Sequence, residues 1–334
     1  MTEDVRFAVN LPLPGPALRD QRELVTALPD LGYADVWTGE GSGADAFTPL
    51  AAAAAWQPRL GVGAGVVPVF TRGPGVLAQT AATLANLVGP RPDGSPGRVL
   101  FGIGTSVPAH VSAINGFTFD RPVARLRDTL RFLTAALRGE PADGDYETFS
   151  IRNFPRWAPT GVKVLVGALR PRMVRLSLTE GDGFITNVLT PADLAKVLAK
   201  AGPRPDGKEI VVRLFVCATE DAEHARRAGR AFLGWITNQA PYRAFQDWLG
   251  HGDAFKRSRA RYDEGDRRGA AAELPDELVD GLWIHGSPAE CRRRIAEYLQ
   301  EGVTSIVINV IPTPELASGR ADLASILAGI HPRG

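Results

Sequence analysis

Lysine is scarce in this sequence: among 334 residues only Lys163, Lys196, Lys200, Lys208 and Lys256 carry it. The other cations are arginines, and Lys and Arg (38) almost cancel Asp and Glu (37), leaving a net charge of +1. So balanced a chain has no bulk field to gather nucleic acid or an anionic membrane surface. Cysteine is scarcer, with Cys217 and Cys291 only, neither beside a partner at metal-ligand spacing, so two free thiols are expected. The histidines (His110, His224, His251, His285, His331) are scattered, whereas a metal centre needs several ligands to converge. A metalloenzyme is therefore excluded at this level. A Ser-His-Asp hydrolase lacks support, because G-x-S-x-G is missing. No apolar run approaches the roughly 18 residues of a membrane helix. The opening MTEDVRFAVNLP has neither a basic nor an apolar leader segment, so no signal peptide is expected and the cytoplasm is the expected location.

What is present is a soluble-protein composition, 44% hydrophobic and 22% charged, at a length that suits one large α/β barrel or two medium domains. Eight short apolar, β-branched runs stand out: 6–12, 35–40, 60–69, 98–105, 162–169, 183–188, 210–219 and 304–312. Most are continuous rather than alternating, the pattern of strands buried on both faces in a parallel sheet. Helical stretches lie between them. Leu126, Leu130, Leu133 and Leu137 recur at helical spacing. Thr190 reads as an N-cap before Pro191; Ser287, with Glu290 three residues on, reads as a capping box whose helix runs to Gly302.

Eight β–α alternations predict a single (β/α)8 TIM-barrel domain over 1–334. A doubly wound sheet competes, but GVGAGV and GIGTSV both lack the last glycine of the dinucleotide fingerprint. Two segments exceed a plain barrel. Residues 89–97, GPRPDGSPG, read as a turn-rich surface insertion. Residues 232–285, aromatic and then charged, read either as solvated helix and loop or as a lid over the barrel mouth.

Sites in such barrels gather at the C-terminal strand ends. Here those ends carry glycines, hydroxyls and amides: Asn10, Gly39-Glu40, Val66–Thr71, Gly104-Thr105-Ser106, Gly167-Ala168, Thr186-Asn187 and Asn309. Such residues suit a flat ring laid against backbone, or a phosphate held by amides. Gly167-Ala168-Leu169-Arg170-Pro171 runs from a strand into a helix N-terminus, whose free N–H groups favour phosphate, with Arg170 and Arg172 adding charge; the alternative is a surface loop with two solvated arginines. One strand is unusual. LGVGAGVVPV carries Gly61, Gly63 and Gly65, and glycine within a strand marks a bulge or a close approach.

Taken together, LGYADVWTGEGSGADAFTPLAAAA (31–54), GVGAGVVPVFTRGPGVLAQTAATLANL (61–87), GRVLFGIGTSVPAHV (97–111), GFTFDRPVARLRDTLRFLTAALRGE (116–140), VLVGALRPRMVRLSLTEGDGFITN (164–187) and HGSPAECRRRIAEYLQEGVTSIVINVIP (285–312) resemble the bacterial-luciferase-like flavin-dependent oxidoreductases. Within them the resemblance is to the branch that uses the deazaflavin coenzyme F420. It implies a barrel with the ring across the strand ends, and a bulge in the third strand, often with a non-prolyl cis peptide, pressing on the ring. That bond falls at Gly65–Val66, with Val67 following. Gly39, Gly104, Thr105 and Ser106 would contact the cofactor. Gly167, Ala168, Leu169, Arg170 and Arg172 would meet its phosphate and tail, and Thr186 and Asn187 would close that pocket.

The resemblance further implies a homodimer, a small-molecule substrate and a separate enzyme that reduces the cofactor. It is incomplete where many members have an acidic residue and histidine after the second strand, since this chain reads Gly39-Glu40-Gly41. Glu40 is then either a proton donor or the partner of an arginine, and His110 a second catalytic candidate facing the cavity. Three functions stand: F420-dependent hydride transfer to or from a small organic molecule; FMN-dependent monooxygenation; and a non-catalytic flavin-binding barrel. The aromatics of 232–255 point to an apolar substrate and argue against the last.

Overall fold

The structure is a computed structural model describing residues 5–41 and 43–333. Its parallel strands are β1 (Arg6–Asn10), β2 (Asp35–Thr38), β3 (Gly61–Pro68), β4 (Val99–Gly104), β5 (Lys163–Gly167), β6 (Gly183–Asn187), β7 (Glu209–Ala218) and β8 (Ser305–Val310). Each pairs with the next, and the β8–β1 pairing, Phe7 opposite Ile306, closes the ring. The chain thus forms the TIM barrel that the strand pattern predicted. All eight strands fall in the expected stretches, β7 starting one residue early.

The helices are α1 (Arg22–Ala27), α2 (Thr48–Trp56), α3 (Pro74–Val88), α4 (Pro122–Leu137), α5 (Pro171–Glu180), α6 (Pro191–Ala201), α7 (Ala222–Ile236), α8 (Ala240–Leu249), α9 (Lys256–Asp263), α10 (Arg267–Ala272), α11 (Asp276–Leu282), α12 (Pro288–Ala296), α13 (Pro314–Ala317) and α14 (Leu323–Ile330). Proline opens many of them, where its fixed φ and missing N–H cost nothing. The capping boxes at Thr190–Asp193 and Ser287–Glu290 are formed. The stop at Gly302 is not: α12 ends at Ala296, and Gly302 instead takes a positive φ (91°) in the turn before β8. The charged run after residue 255 is helical in α9 and α10 and largely solvated.

Side chains alternate along each strand, so every second residue faces the barrel axis. The inward residues form three layers. At the N-terminal end, Arg6 and Arg98 meet Asp35 (3.4 and 2.7 Å), and Lys163 meets Glu209 (2.7 Å), sealing that end with ion pairs. Burial pushes the Glu209 carboxyl upward, but Arg6 and Lys163 outweigh it and hold its pKa below the ordinary value. The middle layer is apolar: Ala8, Trp37, Leu100, Leu165, Ile185, Val211 and Val307 pack together. The outward faces pack under the helices, where Leu126, Leu130, Leu133 and Leu137 are all buried.

The glycines of β3 belong to this packing. A Cβ on Gly61 would overlap the Asp35 carboxylate, and one on Gly63 would overlap the Trp37 indole. Gly65 also lies against Trp37, 3.0 Å from where its Cβ would stand. Thus the indole fills the space that side chains at 63 and 65 would occupy, and the Asp35 carboxylate the space at 61. Above Trp37 the β3–β4 register shifts between Ala64 and Val67, and the Gly65–Val66 peptide is cis.

Candidate active site

The third layer, at the C-terminal mouth, divides in two. From β2 to β5 it is glycine: Gly39, Gly65, Gly104 and Gly167. From β6 round to β1 it is polar: Asn187, Arg213, Asn309 and Asn10. The glycine half is a cradle built around Val66, which the bulge turns toward the mouth. A Cβ on Gly104 would come within 2.6 Å of Val66 Cγ2, and one on Gly167 within 3.1 Å of Val66 Cγ1. Side chains at those positions would displace Val66, so the wall stays flat only with glycine.

Arg213 organises the polar half. Its Nη1 donates to the Gly65 carbonyl, and its Nη2 to Asn10 Oδ1 (3.2 Å) and Asn309 Oδ1 (2.9 Å). Its Nε is buried without a partner. Burial lowers its pKa from the ordinary arginine value. Barrel wall surrounds the side chain, yet part of it stays accessible, and with the Trp37 layer beneath, that access is from the mouth. Beside it, Tyr242 reaches in from α8 and donates its hydroxyl to Asn187 Oδ1 (3.0 Å). Burial raises the Tyr242 pKa, against the opposing pull of Asn187 and Arg213. Gln246 of α8 donates to the Val188 carbonyl (2.8 Å), fixing this helix beside the mouth. Of the two readings of 232–285, the structure shows solvated helices in α9 and α10 and a mouth contact in α8.

The residues singled out from sequence fall into groups. Gly39, Gly65, Val66, Gly104 and Gly167 are brought into direct contact. Val67 is buried, paired with Ile103 of β4. Thr105 and Ser106 follow β4, half-buried, with Ser106 at φ 59° and the Thr105 hydroxyl donating to the Ser106 carbonyl (3.2 Å). Thr186 is buried with its hydroxyl unpartnered. Ala168 is buried and Leu169 half-buried ahead of α5. Arg170, the N-cap of α5, and Arg172 are both exposed.

Of the two catalytic candidates, Glu40 adjoins the cradle, its backbone N–H donating to the Val66 carbonyl (3.1 Å). Glu40 accepts from Thr71 Oγ1 (3.1 Å) and from Arg72 Nε and Nη2 (3.3 and 3.0 Å), so its pairing with an arginine is present. His110 is buried in a single turn of π-helix, Ala109–Ile114, with Nε2 unpartnered. Such turns recur at functional sites.

Sequence reasoning missed Arg213, Tyr242 and Trp37. Arg213 had a signal: it is the one charge inside IVVRLFVCA, two residues from Val211, and so shares its inward face. Tyr242 had none, because its contact with Asn187 depends on how α8 folds back.

A flat mouth with one glycine wall and one wall of amide and guanidinium donors fits a planar heteroaromatic ring with a polar edge. The unpartnered Arg213 Nε–H fits a ligand bearing a further acceptor, whereas Thr186, between the inward Ile185 and Asn187, faces away from the mouth.

Comparison with known proteins accords with this geometry. The family model described as luciferase-like monooxygenase matches residues 5–305. Among curated proteins, 5,10-methylenetetrahydromethanopterin reductase of Archaeoglobus fulgidus is 26% identical over 83% of this chain and 85% of its own. Among solved structures, the coenzyme F420-dependent tetrahydromethanopterin reductase of Methanopyrus kandleri superposes with a TM-score of 0.75 at 20% identity, covering 98% of both chains. The oxygenating constituent of 3,6-diketocamphane monooxygenase from Pseudomonas putida, in complex with FMN, superposes with a TM-score of 0.60 at 16% identity over 99% of this chain and 97% of its own.

Proposed function

The chain belongs to the luciferase-like monooxygenase family, and from that membership and the divided mouth we propose that it is a coenzyme F420-dependent oxidoreductase acting on a small organic molecule. It is an enzyme rather than a passive flavin carrier, as its relatives are named reductases and oxygenases. The observation that carries the reading is the glycine cradle around Val66, a wall that holds a ring face while Arg213, Asn10 and Asn309 meet its polar edge. The relative from Archaeoglobus fulgidus favours hydride chemistry over oxygenation.

When bound, F420 supplies a hydride-accepting and hydride-donating carbon. The chain's own residues do the rest. Gly39, Gly65, Val66, Gly104 and Gly167 set the plane, with Thr105 and Ser106 at its β4 edge. The amides after Gly167 and Ala168, ahead of the α5 N-terminus, take phosphate, with Arg170 and Arg172 near the anionic tail. Tyr242 and α8 shield the mouth from water. Glu40, held by Arg72, and His110, with its free Nε2, are the candidates for moving a proton to or from substrate.

The FMN monooxygenase reading keeps one support, the shared fold of the FMN complex from Pseudomonas putida. Titration of purified protein with oxidised F420 and separately with FMN, followed by fluorescence quenching, separates the two. Saturable micromolar binding of F420 with much weaker FMN binding is the expected result. The reverse preference transfers the chain to oxygenation, and binding of neither overturns the cofactor assignment.

A further inference from the structure

The polar wall of the mouth continues outward as an aromatic one. On β7 the outward residues Val212, Leu214 and Val216 pack under the helices, while Phe215 shares the inward face of Val211 and Arg213. Two residues of strand, at the tilt of such a barrel, advance about 5 Å along its axis, so Phe215 stands about that much farther out than Arg213. It lies opposite Asn309 of β8 and is half-buried. Its neighbours fix its ring. The buried Trp283 indole stacks on it, with centroids 5.5 Å apart and planes 7° from parallel, and Phe232 of α7 packs at 4.4 Å. Beyond Phe232 comes Trp235, 43% exposed. The arginines of α7 are engaged elsewhere: Arg226 bonds Asp280, and Arg230 bonds Asp276. Tyr242 packs on the same cluster and carries its hydroxyl to Asn187. A ring already immobilised gives a stacking partner little further entropy to lose, and aromatic pairs gain beyond the area they bury.

Resting on the F420 reading above, we propose that Phe215 is a specificity-determining residue. With Trp283 and Phe232 behind it, Phe215 forms the wall for the second reactant, an uncharged molecule with a flat aromatic or conjugated ring. The Gly65–Val66 bulge closes the inner side of the layer in which that reading places the cofactor ring. The second reactant is therefore left with the outer side, and that is the side on which Phe215 stands. A carboxylate or phosphate there would leave water for an aromatic wall that offers it no cation, which is costly, whereas apolar ring surface gains by burial. Arg213 lies one layer deeper, bonded to Gly65, Asn10 and Asn309.

The test measures binding of 2-naphthol, a neutral flat ring, and of 2-naphthoate, the same ring bearing a carboxylate, to the F420-loaded protein by equilibrium dialysis. The dissociation constant for F420 is measured alongside. Wild type binds 2-naphthol about tenfold more tightly than 2-naphthoate. Phe215→Ala weakens 2-naphthol binding about tenfold, and Phe215→Leu, apolar but not aromatic, about threefold, while F420 binding stays within about twofold of wild type. If 2-naphthoate binds as tightly as 2-naphthol, or if neither binds, the proposed substrate class is overturned. If the Phe215 variants hold 2-naphthol as wild type does, or lose it only in step with F420, Phe215 merely packs α7 against β7, and the proposal is overturned while the cofactor reading stands. If Phe215→Ala fails to fold, Phe215→Leu decides on the same comparison. If wild type does not bind F420, the cofactor reading falls and the proposal with it.

Discussion

Trp37 and its glycines show how one side chain fixes the identity of residues on the neighbouring strand. The indole is fully buried in the middle layer and lies across Gly63 and Gly65. Replacing Gly63 by alanine forces the indole or the strand to move, and overpacking of this kind typically costs about 1–3 kcal/mol. Gly63→Ala is therefore expected to lower the unfolding free energy by about that much, read as a fall in the urea midpoint. Gly73→Ala, where a Cβ meets nothing within 4 Å, leaves it nearly unchanged. Equal midpoints for the two variants would contradict the packing account. The glycines were visible in the sequence as an anomaly. Their cause was not, because Trp37 lies on another strand and only the β2–β3 register, Trp37 opposite Gly63, brings the two together.

At the scale of elements, α7 and α11 are joined to the strand Ile284–Gly286 by one carboxylate. Asp280 of α11 accepts from Arg226 of α7 (2.9 and 2.7 Å) and lies 2.8 Å from His285 Nε2. The Arg226 guanidinium holds its pKa at about 2 against the upward push of burial, with His285 adding to the depression. A carboxyl depressed on folding stabilises the protein above its unfolded value of about 4, and that contribution is lost as pH falls through about 2. Asp280→Asn is thus expected to cost about 1–2 kcal/mol at pH 5, allowing for partial exposure, and less at pH 3. Urea midpoints at the two pH values measure the gap; a gap that widens toward acid would contradict the linkage. Elements of this kind were partly legible. Proline, capping residues and leucine spacing marked α3 to α6 and α12, because those signals are local. The helices α8 to α11 were read only as a segment, since α9 and α10 are short and charged, and α8 is placed by tertiary contacts such as Gln246 to Val188.

The whole molecule has two unlike ends. Ion pairs among Arg6, Asp35, Arg98, Lys163 and Glu209 seal the N-terminal end, while the C-terminal end keeps a glycine wall facing a polar one. The barrel was legible because eight continuous apolar runs recur with helices between them. The glycine wall was legible through a resemblance resting on motifs spread over most of the chain. Of the polar wall, Asn10, Asn187 and Asn309 were legible as strand ends, but Arg213 was not, because it meets Asn10 and Asn309 only once the sheet closes. The claim that joins these levels is that the cofactor ring lies at the mouth, on the Gly65–Val66 bulge. A crystal structure of the F420 complex tests it most directly. The account predicts ring density against Val66, Gly104 and Gly167 with Arg213 behind. Density instead in the concavity at the other end, lined by Asp30, Leu31, His331 and Arg333, would contradict it.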